Sequence, residues 1–324
     1  VLFLGTLPAE FIANDEPLVM SYKGELYYPV LFYYPETTFG GDFETEADYK
    51  DPYIVEKIMA NGWMVMPLLP YDHQTLNFAI DRAPSAPSRE NLLGVDDQGR
   101  DVLARLIYGF RLSVLFALTL TILSSTIGIL AGAVQGYFGG WVDLALQRLI
   151  EIWQGLPMLF MLIILASFVE PNFWWLLGLL LLFSWTSLVG VVRAEFLRAR
   201  NLDYVRAARS LGVRERVIML RHVLPNALVA ALTFLPFKLT AAVTTLTSLD
   251  FLGFGLPPGS PSLGELLAQG KNNPLYPWLG ITGFVVVAVL LVLMIFIGEG
   301  LRDAMNPYKG RASGIPADPK AGAA

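Results

Sequence analysis

Residues able to do covalent or metal chemistry are scarce in this sequence of 324 residues. There is no Cys, which excludes thiolate nucleophiles, thiolate metal sites and disulfide scaffolds. The two His, His73 and His222, are too few for a multi-His metal centre. No His-Glu-x-x-His run occurs, and no Gly-x-x-x-x-Gly-Lys-Ser/Thr run that would cradle nucleotide phosphates. No long apolar stretch holds two acids for paired-carboxylate work. No catalytic, metal-ligating or cofactor-binding residue is therefore expected. What remains are charges in unusual places. Lys238 stands inside an apolar run. Arg148 and Glu151 lie three apart, a spacing that pairs side chains along a helix. Arg100, Asp101 and Arg105 precede another apolar run. Eight Arg fall between 193 and 221, at 193, 198, 200, 206, 209, 214, 216 and 221. Such residues hold and recognise charge; they do not break bonds.

The elements that must position them are membrane spans. The chain is 54% apolar and 16% charged, against roughly 45–50% and about 25% in soluble proteins. A net charge of −5 argues against a basic nucleic-acid binder. Four long stretches carry no charge: 112–142, 152–169, 171–192 and 272–298. A fifth, 223–249, carries only Lys238. Spans are expected at about 112–134, 152–169, 171–192, 226–247 and 279–298, each near the ~20 residues that cross the hydrocarbon. The apolar start, interrupted by Pro8 and Glu10, reads as the remnant of a first span over 1–13, which makes six. Pro157 and Pro236 fall inside spans and are expected to kink them.

Loop charge sets the orientation. Residues 193–221 carry a net +5, and Lys and Arg concentrate in cytoplasmic loops. That assigns 193–224 to the cytoplasm and 14–108, with seven basic and 16 acidic residues, to the outer side. Residues 14–91 read as a small outer insertion, α/β or irregular, with short strands and turns. The Pro- and Ser-rich segment 83–88 reads as a linker. The tail 308–324 is expected to be disordered.

Residues 201–212 read as a short helix. Asn201 or Asp203 can cap its start, and Gly212 suits a left-handed end. Tyr204, Ala207, Ala208 and Leu211 share one face, with bulk at its ends and two methyl groups between. Such a face presses closely into a partner's groove, although a solvated basic loop that only fixes topology fits the pattern equally well. A second helix is expected from Arg214 to about Val223, ended by Leu224-Pro225-Asn226.

Ala207-Ala208-x-x-x-Gly212 with His222-Val223-Leu224-Pro225-Asn226 resembles the coupling loop (the EAA motif) of ABC importer permeases, in the form of the oligopeptide and dipeptide subfamily. Arg206 stands where the motif has Glu. Leu93–Ser113, with Gly94, Asp96, Gly99, Arg100 and Asp101, is similar to the segment before that subfamily's second span. Leu249–Pro258 followed by Gly264-Glu265 is similar to its last outer loop. The resemblance covers roughly 91–307, and the insertion is similar to that of a branch whose importers take peptides, including microcin C.

This resemblance implies an all-α permease fold over 92–307 and a location in the bacterial inner membrane. It implies an ATP-hydrolysing partner that receives Asp203, Tyr204, Arg206, Ala207, Ala208, Leu211, Gly212 and Pro225. It also implies a second permease subunit, so a heterodimer, and a periplasmic peptide-binding protein. Lys238 then lines the translocation path and meets a peptide carboxylate, or else it snorkels or pairs with the partner subunit. A secondary carrier and a membrane anchor for a binding protein are the competing readings. Against the carrier stands the near absence of mid-membrane charge for ion coupling.

Overall fold

The structure is a computed structural model that describes residues 2–78, 80–166, 168–169 and 171–305. The tail expected to be disordered lies outside these residues. In chain order the elements are α1 (Leu2–Thr6), α2 (Ala9–Ile12), β1 (Val19–Tyr22), β2 (Glu25–Tyr27), α3 (Pro52–Asn61), β3 (Gly62–Val65), α4 (Val102–Phe138), α5 (Gly140–Gln154), α6 (Met158–Ala166), α7 (Phe173–Ser184), α8 (Thr186–Ala199), α9 (Asp203–Ser210), α10 (Glu215–Val217), a π-helical turn (Ile218–Val223), α11 (Leu224–Leu252), α12 (Leu263–Asn272) and α13 (Pro277–Ala304). The chain divides into two compact units, one of residues 2–116, 171–172 and 245–288, the other of residues 117–169, 173–244 and 289–305.

In the first unit the insertion forms a three-stranded antiparallel sheet of order β2-β1-β3. Alternation along β1 sends Met20 and Tyr22 inward. There they join Phe39, Tyr49, Ile54 and Ile58 in a core of their own. Tyr22 meets Phe39 edge-on at 5.6 Å and donates to its carbonyl at 3.1 Å. Asp51 caps α3 by accepting from the Tyr53 N–H at 2.9 Å, with Pro52 in the first turn, where its missing N–H is no loss. The linker reading of 83–88 does not hold. Ser85 exchanges both backbone hydrogen bonds with Val95, so the segment is pinned.

Among the described residues, four helices are long and apolar enough to cross a membrane: Val102–Phe138, Phe173–Ala199, Glu215–Leu252 and Pro277–Ala304. A fifth candidate is the pair α5 and α6, bent by 71°. The kink expected at Pro157 is thus found as a full break at Gly155-Leu156-Pro157, which divides the span expected over 152–169 between two helices. Proline lacks the N–H that would continue the helix, and it pushes the residue before it out of the α region. Alone, the nine residues of α6 reach about 14 Å, too short to cross.

In the second unit α7 and α8 join through the helical Trp185 and run to Ala199, seven residues past the expected end. Arg193 and Arg198 therefore stand on a helix and not in a loop. Trp153 of α5 donates to the Leu182 carbonyl of α7 at 2.7 Å. The break expected at Leu224-Pro225-Asn226 is also absent. The helix passes through Pro225 because the wide π-helical turn just before it re-registers the backbone bonds, with the Leu224 N–H donating to the Met219 carbonyl. Pro236 likewise sits within an unbroken α11.

Candidate functional site

α9 begins without a side-chain cap. Neither Asn201 nor Asp203 serves, contrary to the capping expected from sequence. Leu202 occupies the cap position, and the Asn201 side-chain amide donates instead to the Leu197 carbonyl at 3.2 Å. The C-terminal end behaves as expected. Gly212 has φ +76°. The Val213 N–H reaches the Ala208 carbonyl and the Gly212 N–H the Arg209 carbonyl, the paired bonds of a Schellman end.

Val205 anchors this helix. It is fully buried among Ala133, Tyr137, Val192, Phe196 and Ile218. Ala208 leans on the same cluster. Tyr204, Ala207 and Leu211 stay open, Leu211 at 83% and Tyr204 at 40% exposure. The face expected to present two methyl groups therefore presents one, Ala207, between two large side chains. Asp203 and Arg206 are exposed and lie 4.0 Å apart. Such a surface pair contributes little.

Two contacts hold the base of α9, and a third ties α8 to α5. Tyr137 donates its hydroxyl proton to Glu215. Arg209 reaches both Glu215 oxygens, at 2.9 and 3.2 Å. Arg193 grips Asp143 with two bonds of 2.5 and 2.7 Å. Beneath them α4 meets α8 through glycines every fourth residue. A Cβ on Gly128 would lie 2.5 Å from the Trp185 carbonyl, on Gly132 2.7 Å from that of Val189, and on Gly136 2.5 Å from that of Arg193. Small residues spaced by four let helix backbones approach within a membrane. Val205, the Tyr137–Glu215–Arg209 group and these glycines were not singled out from the sequence. Only the glycines carried a legible signal, their spacing.

The outer motif is assembled within the first unit. Asp96 is fully buried, and its Oδ1 accepts from the Gln98 and Arg100 N–H groups. Gly94 and Gly99 take φ +80° and +91°, which suits glycine. Arg100 pairs with Asp96 at 2.7 Å and with Glu265 at 3.3 Å. Arg105 pairs with Glu265 at 2.5 Å, and its Nε lies 3.4 Å from Asp96. Both arginines thus pair with Asp96 and Glu265, and not with Asp101. Asp101 instead accepts from the Ala104 N–H at 2.8 Å at the start of α4 and from the Asn91 side-chain amide at 2.8 Å. Burial pushes its carboxyl above the usual range, against the pull of those bonds.

Lys238 lies at the centre of α11 with its Nζ shielded and, among the described residues, without a hydrogen-bond partner. Arg148 and Glu151 pair at 2.5 Å on an exposed face of α5.

Long apolar helices and a short helix held out on a packed base define a polytopic membrane protein. Residues 124–309 match the family described as binding-protein-dependent transport system inner membrane component, and the chain belongs to that family. It is 60% identical over 310 residues to the inner membrane ABC transporter permease protein YejE of Escherichia coli strain K12, covering 95% of this chain and 91% of that one. It is 56% identical over 334 residues to the peptidoglycan transport system permease protein YejE of Agrobacterium fabrum, covering 95% and 87%. Among solved structures, an inward-facing MetNI methionine ABC transporter matches with a TM-score of 0.53 and 16% identity, over 62% of this chain and 96% of that one, a likeness of fold. The chain is an inner-membrane ABC permease subunit.

Proposed function

We propose that the chain forms half of the path of an ATP-driven peptide importer, and that α9 carries the movement of a separate ATPase into the membrane helices. The observation that bears this reading is the division of α9. Val205 is locked into the subunit while Tyr204, Ala207 and Leu211 are exposed. A helix built so can be pushed from outside without losing its seat. The base links α9 through Arg209 and Glu215 to α4 and the start of the α11 span, so a push on α9 reaches both. The Arg-rich segment faces the cytoplasm, and the insertion 14–91 lies in the periplasm, where a peptide-binding protein delivers its load. A second permease subunit completes the path. Peptides, including fragments released from peptidoglycan, are the substrate class that the names of the relatives support.

The test uses the absence of native Cys. Leu211→Cys and Ala207→Cys are each co-expressed with the candidate ATPase carrying Cys around its surface groove. A crosslink that changes with bound nucleotide is expected. Free labelling of both positions, with no crosslink in any nucleotide state, would return α9 to the role of a solvated topology signal.

A further inference from the structure

Lys238 is the fifteenth of the 29 residues of α11, so about 21 Å of helix lies on either side of it. Its own helix offers it nothing. The positions three and four residues away are Phe234, Leu235, Ala241 and Ala242, none with an acceptor in its side chain. The nearby hydroxyls are engaged, Thr240 donating to the Pro236 carbonyl at 2.9 Å and Thr244 to that of Thr240 at 2.9 Å. No ion pair or hydrogen bond reaches its Nζ among the described residues.

The strip of α11 beside Lys238 is not closed by the chain. Phe234 is 46% exposed, and Ala241 and Thr244 are exposed too. Lipid is a poor cover for this strip, because it would strand an ammonium at mid-depth. Ala241 and Thr244 are small side chains, and the flexible four-carbon stem can carry the ammonium toward that exposed strip.

We infer that Lys238 is the mid-path cation that binds the carboxylate of a transported peptide, at its C-terminus or on an acidic side chain, so that this subunit favours peptides with a free carboxylate. The inference rests on the permease reading above. An ammonium is suited to the task because it is a compact charge with three rotatable donors, able to follow a carboxylate that moves. The site is a waypoint and not a tight pocket, since a moving substrate must also leave it.

The test uses the complete importer reconstituted in liposomes, with trialanine and its C-terminal amide as probes. ATP-driven uptake of both is measured for the native chain, Lys238→Met and Lys238→Arg. Binding of both probes to the isolated binding protein is measured in parallel and divided out. The native importer should favour the free acid. Lys238→Met should remove that preference, lowering uptake of the acid at limiting concentration roughly tenfold to a hundredfold while sparing the amide, the size expected for one charge-assisted hydrogen bond. Lys238→Arg should keep the preference. An unchanged acid-to-amide ratio in Lys238→Met overturns the inference. Equal loss of both probes, or loss of the second permease subunit on purification, also overturns it and places Lys238 at the subunit interface. If the native importer moves neither probe with ATP, the permease reading itself fails and this inference falls with it.

Discussion

Val205 shows how much one side chain decides at the docking helix. It is fully buried, while Tyr204 and Leu211 beside it are exposed. Val205→Ala should cost roughly 2 kcal/mol through lost burial and a residual cavity. More tellingly, Val205→Ala should loosen the coupling of transport to ATP before the fold fails. Hydrolysis by the complex should persist while uptake per ATP falls, which a paired uptake and phosphate-release assay would reveal. The Arg105–Glu265 pair makes a second case. Arg105 is almost fully buried. Arg105→Met should destabilise by roughly 1–3 kcal/mol, because it leaves Arg100 alone to serve both Asp96 and Glu265. The double change Arg105→Met with Glu265→Gln should recover part of that loss, as read by thermal melting of the purified protein. Glu16 supplies a pH dependence. Burial, together with Glu46 and Asp15, pushes its carboxyl up to about 7. A raised carboxyl favours the folded state when protonated. Its contribution is present below the ordinary Glu range and is lost as pH rises through about 7. Glu16→Gln should therefore melt later than the native chain at pH 8 and alike at pH 4, as measured by the same melts.

At the scale of elements, the glycine ladder on α4 and the left-handed end of α9 are the sensitive joints. A side chain at Gly132 would strike the Val189 carbonyl, which belongs to a helix backbone and cannot swing aside. Gly132→Ile should cost roughly 1–3 kcal/mol by overpacking and part α4 from α8. The direct readout is the yield and melting temperature of the detergent-solubilised subunit. Gly212 has open space around it, so its constraint is conformational and not steric crowding. Gly212→Ala should cost about 1 kcal/mol through its positive φ, and Gly212→Asn less, since Asn tolerates that region. The π-helical turn before Pro225 is a third joint. It lets a proline stand in a helix of 38 residues, and wide turns of this kind are points where a helix can re-register.

At the scale of the whole molecule, uptake should follow ATP and not the proton gradient. Depleting ATP in vesicles should abolish it, while collapsing the gradient with a protonophore should leave it standing. The opposite result would bring back the secondary carrier.

Much of this protein was legible from composition and period alone. Runs of about 20 apolar residues announce helices, because a backbone in hydrocarbon must satisfy its own hydrogen bonds. The positions of four spans, the left-handed Gly212 and the candidate docking helix followed from that local logic. The misreadings share a cause. The break at Pro225 and the cap by Asn201 or Asp203 were local inferences that neighbouring backbone overruled. Pro157 did interrupt its span as expected, while a π turn allowed Pro225 to stay in a helix. The deepest parts of the candidate site joined residues far apart in the chain: Val205 under Phe196, Tyr137 on Glu215, Arg105 on Glu265. Sequence determined which segments are helices and where charge gathers, because those depend on neighbours along the chain. Tertiary structure alone decided which charges meet and which face of α9 is free, because burial is set by what packs from elsewhere.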